Sequence, residues 1–559
     1  MTALEKPLSV VGSLGVHALE RPAEAAMTFV GYGRAAEGTA TTLTFRELDR
    51  RVRVLGEIIA GRVAPGEPVA VLCPQGLDYV IGFLGCLAAG AVAVPLYAPE
   101  PFRSDAGLVA SLKDALPTLV LTTSAARAPV DGLGAAPSLA IDEIGGDTAW
   151  RPPERWDETA YLQYTSGSTS SPRGAVISHA NLAWSSAQVR EAYRIDGSSR
   201  VVSWLPLFHD MGLIAGLASP VVAGAHCLLM DPMAFVQHPL RWLHALSSHR
   251  ATYTAIPNFA LDMCVDRTTI TQRAGLDLSR LTAVTNGSEP VRDRSLRRFS
   301  EAFASAGFRP EAHAPSFGLA EATVLVTAKP FGTEPAIIDC DRAELDAGRV
   351  RIVIADDPTA RRMVGCGTPT LQDVRIVDPE ALTDLGSGRV GEIWVRGPNV
   401  AGGYLGQADH PDFGAHLDGT DGWLRTGDAG FLHEGQLYIA GRYKDLIIVD
   451  GRNHHPSDLE ATIESTLPGL RRGHVIAFSI EVEDTERLVV VAENDPRSQV
   501  GTYSDPSALL RAARRALAVG HGIELHDLRV ITRGGLPKTT SGKLRRGTCR
   551  ERYLAGGYQ

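Results

Sequence analysis

Up to about Val350 the chain alternates short, continuous apolar runs with longer stretches whose apolar residues recur at helical spacing. Val69–Cys73, Ala91–Leu96 and Thr118–Thr122 carry no charge and are too short for helices. Such runs read as strands buried on both faces, the pattern of a parallel sheet flanked by helices. Thr44-Phe45-Arg46-Glu47 is a capping box that predicts a helix to about Ala60, and Ser104–Ala115 reads as another helix. The alternation resumes after Gly174, with helices at Asn181–Tyr193 and Pro239–His249. Strands are expected at Arg200–Trp204 and near Thr252–Ala255 and Thr282–Thr285. Tyr79 to Tyr97 is charge-free and near membrane-spanning length, but Gly82, Gly85, Gly90 and Pro95 break it. A buried helix, a glycine turn and a buried strand describe it better, so no transmembrane segment is expected.

Beyond about Val350 the pattern changes. Asp373–Val377, Glu392–Arg396 and Gln436–Ala440 alternate polar and apolar residues, as half-exposed antiparallel strands do. Gly441-Arg442-Tyr443-Lys444-Asp445 reads as a junction. After it, Ser457-Asp458-Leu459-Glu460 reads as a second capping box, followed by strands at His474–Ile480 and Leu488–Glu493 and a helix at Pro506–Val519. The expected fold is α/β: parallel α/β subdomains with a small antiparallel barrel-like subdomain, then a small mobile α+β domain at the C-terminus.

Composition narrows the function. The chain has 559 residues, is 44% hydrophobic and 21% charged, and carries a net charge of −9, which argues against a nucleic-acid partner. Seven cysteines are scattered without a C-x-x-C, which fits buried thiols in a reducing compartment better than disulfides or a zinc site. The N-terminus lacks a signal-peptide apolar region, so a cytoplasmic location is expected.

Tyr161 to Gly174 ends an apolar strand in Thr165-Ser166-Gly167-Ser168-Thr169, a run of hydroxyls and glycine suited to wrapping phosphates. It is not a Walker loop, because Gly167 and Gly174 are too far apart and no Lys follows. By itself it also reads as a surface loop. Ser316-Phe317-Gly318-Leu319-Ala320-Glu321 sets an aromatic ring that can stack on a base near a carboxylate that can hold Mg²⁺. Equally, Phe317 reads as core and Glu321 as a solvated helix residue. Asp428, after a Gly turn, can accept from a ribose diol or simply form the turn. Lys543, in Pro537-Lys538-Thr539-Thr540-Ser541-Gly542-Lys543, is a point charge on a flexible loop or part of a basic tail. His209 beside Asp210 is either a structural His or a group that orients a carboxylate.

Taken together and in this order, these segments resemble the adenylate-forming superfamily, and within it the fatty acyl-AMP ligases, over roughly residues 10 to 555. The resemblance implies ATP and Mg²⁺ as cofactors and a fatty acid as substrate. It makes Thr165, Ser166, Gly167, Ser168 and Thr169 the phosphate loop. Gly287, Ser288, Glu289 and Pro290, with Ser316, Phe317, Gly318 and Leu319, would bracket the adenine. Glu321 would bind Mg²⁺, and Asp428 and Arg442 would hold the ribose. Lys444 would be the hinge, Lys543 the catalytic lysine, and His209 would sit where carboxylate and α-phosphate meet. Asp210 and Ile256 would belong to the acyl pocket. The implied domains are 1–441, with an insertion at about 329–365, a hinge at 442–446, and a mobile domain at 447–559. Trp204 to Met211, Asn258-Phe259-Ala260 and Asp450 to Pro456 carry the resemblance to the ligase branch, together with that insertion. Similar proteins pass the acyl group to the phosphopantetheine thiol of an acyl carrier protein. This chain shows no carrier-type G-x-D-S-L motif, so the carrier is expected to act in trans.

Three departures stand out. Ser170-Ser171-Pro172-Arg173 replaces the usual Thr-Gly-x-Pro-Lys, Phe317 stands where Tyr is common, and Ile256 is bulkier than expected, which would narrow an acyl tunnel. Competing readings are an acyl-CoA synthetase and a degenerate nucleotide-binding regulatory protein. An amino-acid adenylation domain is a further one, but it tends to place Asp after a Phe, where Phe208 is here followed by His209.

Overall fold

The computed structural model describes residues 6–33, 37–100, 105–153, 155–156, 158–165, 172–354, 357, 360–449, 452–482, 485–495, 506–539 and 543–558. The short apolar runs become strands of two sheets. One has six strands in the order Ser138–Ala140, Leu119–Thr122, Pro68–Val71, Val92–Pro95, Thr159–Thr165 and Arg173–Ser178. All but the last are parallel; Arg173–Ser178 returns antiparallel beside Thr159–Thr165, so the predicted phosphate loop falls between these two strands in the chain. The other has nine strands, and its parallel centre is His313–Phe317, Ala283–Gly287, Tyr253–Pro257, Arg200–Ser203, His226–Met230 and Ala25–Gly31.

The helices between strands begin where the sequence can satisfy their free N–H groups. Thr44 and Glu47 form the expected reciprocal cap, with Glu47 N donating to Thr44 Oγ1 at 3.2 Å and Thr44 N to Glu47 Oε2 at 2.8 Å. Ser178 and Asn181 make a second such cap. The Asn181 amide also donates to the carbonyls of Pro398 and Val400, tying this helix to the antiparallel region. The charge-free stretch is a buried helix, Leu77–Ala89, closed by Gly90 at φ +75° and followed by the strand Val92–Pro95. Among the described residues no helix is long and apolar enough to cross a membrane. All seven cysteines are buried and free.

The later region is a five-stranded antiparallel sheet of Asp373–Val377, Gly391–Arg396, Ala415–Leu417, Thr420–His433 and Gln436–Arg442. Residues 337–364 form a separate two-stranded ribbon, Ile337–Asp341 with Ala360–Val364, enclosing a short helix, Arg342–Asp346.

The tail builds its own cores. Leu470–Val482 pairs antiparallel with Thr485–Asn494, which pairs parallel with Leu525–Ile531. Helices Pro456–Thr466 and Pro506–His521 cover one face through Leu459, Ile463, Leu467, Ala513 and Leu517. On the other face Ile476, Phe478, Val489, Val491, Leu536 and Cys549 form a second cluster. The capping box expected at Ser457 is absent. The helix starts two residues earlier, with His455 at the cap position, Pro456 in its first turn and no side-chain cap. Glu460 turns away to accept from Ala477 N (2.9 Å) and to pair with Arg546 (2.6 Å), because a buried carboxylate needs stronger partners than a helix end.

Candidate active site

The carboxyl ends of parallel strands leave a crevice where ligands bind in open α/β folds. Here Thr165, Ser203, Gly287 and Phe317 all stand at such ends. Ser166, Gly167, Ser168 and Thr169 lie outside the described residues. An open cleft lies among Asp210, Met211, Gly287, Ser288, Ser316, Phe317 and Gly318, and takes in Tyr193, Tyr253 and Thr285. The backbone is crowded and strained around it. Ser288 has φ +67° and Thr323, two residues after Glu321, has φ +62°. A Cβ on Gly318 would meet the Val324 carbonyl at 1.6 Å, so only glycine lets these strands approach. Strain of this kind persists where surrounding structure holds it, often at working sites.

His209 and Asp210 sit at the start of a helix whose middle, Ile214–Ala218, widens into a π turn against the cleft. His209 Nδ1 is 2.5 Å from Asp210 Oδ1. Burial pushes the Asp210 carboxyl up, but His209, their hydrogen bond and Lys543 outweigh it and hold it at about 2. The loop before them is fixed by two amides, the half-buried Gln75 and the buried Gln163. Gln75 donates to the Leu205 and Met230 carbonyls and accepts from Leu207 N, and Gln163 donates to the Phe208 carbonyl.

Asp428 is placed by a bulge. Buried Glu392 accepts from Gly427 N at 3.1 Å, Gly427 adopts φ +69°, and Thr426 Oγ1 accepts from Asp428 N. Asp428 is then 6% exposed and its Oδ1 receives Arg442 Nε at 2.9 Å. Burial raises the Asp428 carboxyl against the pull of Arg442. Glu321 accepts from the Tyr404 hydroxyl at 2.8 Å, and burial raises its carboxyl too. The Arg173 guanidinium lies 5.3 Å over the Tyr404 ring and contacts His410 Nε2 at 3.2 Å. Arg173 thus keeps a cation at the foot of the predicted phosphate loop, linked through Tyr404 to Glu321.

The tail enters this cleft. Thr539 N donates to the Lys543 carbonyl (2.7 Å) and Lys543 N to Thr539 Oγ1 (3.0 Å), holding these two residues side by side. Burial lowers the Lys543 amine, opposed by Asp210, Glu289 and Asp428. The ammonium feels the charges of these three carboxylates and of the Arg442 guanidinium, and closes no ion pair to a described residue. Lys444 is exposed in the single turn Tyr443–Asp445 where the body ends.

Some expected residues do other work. Glu289 Oε1 accepts from Phe259 N at 2.6 Å, so it caps the helix Asn258–Asp266 at the cleft's edge, while Pro290 is exposed. Phe317 is 8% exposed and packs among Val326, Val374, Ile376 and Val395, with Leu319 partly buried against the same cluster. Ile256 does not line the cleft. It pairs with Asn286 on the strand face opposite Tyr253 and the Ala255–Thr285 pair, because side chains alternate along a strand. Tyr253 takes the wall position assigned to Ile256. Arg173 was noted in the sequence only as a departure, while Tyr404, Glu392, Gln75 and Gln163 were missed. Gly402-Gly403-Tyr404 is a local signal for a close approach; the two amides and Glu392 leave none.

Comparisons with known proteins show the family and the fold. Residues 16–405 match the family model described as AMP-binding enzyme. The long-chain-fatty-acid–AMP ligase FadD26 of Mycobacterium marinum is 40% identical over 98% of each chain. The 4-hydroxyphenylalkanoate adenylyltransferase of the same organism is 39% identical over 97% of this chain and 90% of its own. Among solved structures, a Legionella pneumophila fatty acyl-adenylate ligase in complex with acyl adenylate and pyrophosphate matches with a TM-score of 0.76 at 33% identity, covering 98% of this chain and 96% of its own. A structure from a study of fatty acyl-adenylate ligases from E. coli and L. pneumophila reaches a TM-score of 0.88 at 27% identity, over 99% and 98%. The chain belongs to the AMP-binding enzyme family of adenylate-forming enzymes and, within it, to the fatty acyl-AMP ligase branch.

Proposed function

We propose that the protein joins a fatty acid to AMP and then hands the acyl group to the phosphopantetheine thiol of an acyl carrier protein acting in trans. The observation that carries this reading is the approach of Lys543, from the tail, to Asp210, Glu289 and Asp428 of the body. A substrate carboxylate oxygen attacks the α-phosphorus of ATP, the bond to the bridging oxygen breaks, and pyrophosphate leaves. Positioning and dispersal of negative charge are the main tasks in such a step. Lys543 meets the charge at the α-phosphate as a compact ammonium. Asp428, steadied by Arg442, accepts the ribose hydroxyls. Gly287, Ser288, Gly318 and Phe317 frame the base, and Thr165 to Thr169 with Arg173 take the phosphates. With Nδ1 held by Asp210, His209 keeps Nε2 to meet the substrate carboxylate.

Glu321 fits Mg²⁺. One of its oxygens is engaged by Tyr404, and a buried carboxylate gains from a cation. Mg²⁺ commonly takes one or two carboxylates and completes its shell with phosphate oxygens and water. Among the described residues no three His, Cys, Asp or Glu are grouped to hold a metal ion. Bound there, Mg²⁺ would neutralise phosphate charge.

Thioester formation then needs Lys543 to withdraw, with residues 447–559 turning about Lys444 and the segment 442–446. Incubation with fatty acid, ATP and Mg²⁺, with CoA or holo carrier protein supplied separately, tests the reading. Carrier acylation well above CoA thioester formation is expected; efficient CoA thioester formation would overturn it.

A further inference from the structure

The inner end of the cleft is not the plain apolar tube that a saturated chain asks for. Val189, Met211, Ala215 and Leu325 line its flanks, but Tyr193, Tyr253 and Thr285 close it. The two tyrosine rings stack at 5.3 Å, and Tyr253 and Thr285 satisfy each other's hydroxyls at 3.2 Å. Tyr193, only 3% exposed, is the described residue lining the cleft whose side-chain polar atom is buried with no hydrogen-bond partner. Thr285 and Ser316 act on its hydroxyl as hydrogen-bonding neighbours and draw the phenol down, but neither is seated in full hydrogen-bond geometry. Burial pushes the phenol up to about 12, so it is a neutral group able to donate and accept.

A buried unpaired hydroxyl is costly, and a Phe at 193 would remove that cost in a pocket meant only for methylenes. Tyr193, Tyr253 and Thr285 are 5% exposed or less, whereas the Asp210 side chain, beside which the carboxylate is bound on the reading above, is 14% exposed. Tyr193 comes from the helix His179–Tyr193 and Tyr253 from the strand Tyr253–Pro257, both anchored in the core, so the pocket end is rigid.

We propose that this pocket selects a carboxylic acid whose chain carries a hydroxyl group, which hydrogen-bonds the Tyr193 hydroxyl at the buried end. The inference rests on the ligase reading and names its substrate class. Selectivity follows because a site built to bond a substrate hydroxyl rejects an analogue that lacks it, leaving its own polar group unpaired.

Pyrophosphate release with ATP and Mg²⁺ is the readout, using matched acids. One arm compares straight-chain acids with their terminal-hydroxy counterparts at several lengths; the other compares a phenylalkanoic acid with its 4-hydroxyphenyl counterpart. The wild type should favour the hydroxylated member of at least one pair by about tenfold or more in kcat/KM. Tyr193→Phe, which keeps the ring and its stacking, should bring that ratio close to one. The arm that shows the preference identifies the hydroxyl as aliphatic or phenolic. Equal kcat/KM in every pair, or a preference that survives Tyr193→Phe, overturns the inference while leaving the ligase reading intact. No pyrophosphate with any acid overturns both.

Discussion

The tail touches the body in two places of opposite chemistry. At the cleft, Lys543 feels the charges of Asp210, Glu289, Asp428 and Arg442 and makes no ion pair with a described residue. Away from it, charges are paired and shielded. Arg361 of the ribbon lies 3.0 Å from Asp458 of the tail helix, with side chains 10% and 17% exposed, and donates to the Ala440 carbonyl. Arg342 contacts His521, and Arg292 reaches Glu464 at 3.4 Å. Charges held apart leave room for a ligand to complete the balance, whereas charges in contact make a grip. The comparison separates residues that serve the reaction from those that hold the tail to the body.

The largest break should come from Lys543→Ala. Adenylate formation should fall by about 10²–10³, as when a single group that stabilises transition-state charge is lost. Transfer from preformed acyl-adenylate to the carrier should fall far less, and equal losses in the two half-reactions would contradict a lysine that withdraws. On the paired side, Arg361→Ala leaves Asp458 without its partner. Stability should drop by up to about 3 kcal/mol in a thermal melt, with faster proteolysis of the tail. If tail and body melt as before, the grip is not where the ion pairs are. Asp428→Asn keeps the shape but weakens ribose acceptance and the hold on Arg442. The KM for ATP should rise about tenfold with a smaller change in KM for the acid.

The smallest effect concerns pH. Burial and the neighbouring Asp458 raise the Asp346 carboxyl to about 6, above its usual 3.8. A raised acid favours the folded state when protonated, so this group's contribution to stability is complete below about 4. It is lost as pH rises through 6. Asp346→Asn should therefore stabilise the protein by about 1 kcal/mol at pH 8 and by less at pH 5. Parallel melting curves at the two pH values would remove Asp346 from the account of this interface.

The half-exposed antiparallel strands were the most legible part. Asp373–Val377 is found with the bounds its alternation predicts, because a sheet with one wet face writes period two into the sequence. The strands Ala25–Gly31, Thr39–Thr44 and Leu525–Ile531 were not foreseen; the first and last are held in their sheets by partners far along the chain, His226–Met230 and Thr485–Asn494. In the site, motif residues such as Asp428 and Lys543 were legible as chemistry. Ile256 was misassigned because a strand buried on both faces carries no alternation to say which way a residue points.

By itself the sequence determined the local elements, the two textures of body and antiparallel region, and the residue types that adenylate chemistry needs. These depend on spacing along the chain, which capping, glycine turns and periodicity record directly. Only the tertiary structure decided that Tyr193 and Tyr253 close the pocket, that Arg173 reaches Glu321 through Tyr404, and that Arg361 grips Asp458. Each joins residues far apart in sequence, and their meeting is fixed by how sheets and helices pack, not by any local pattern.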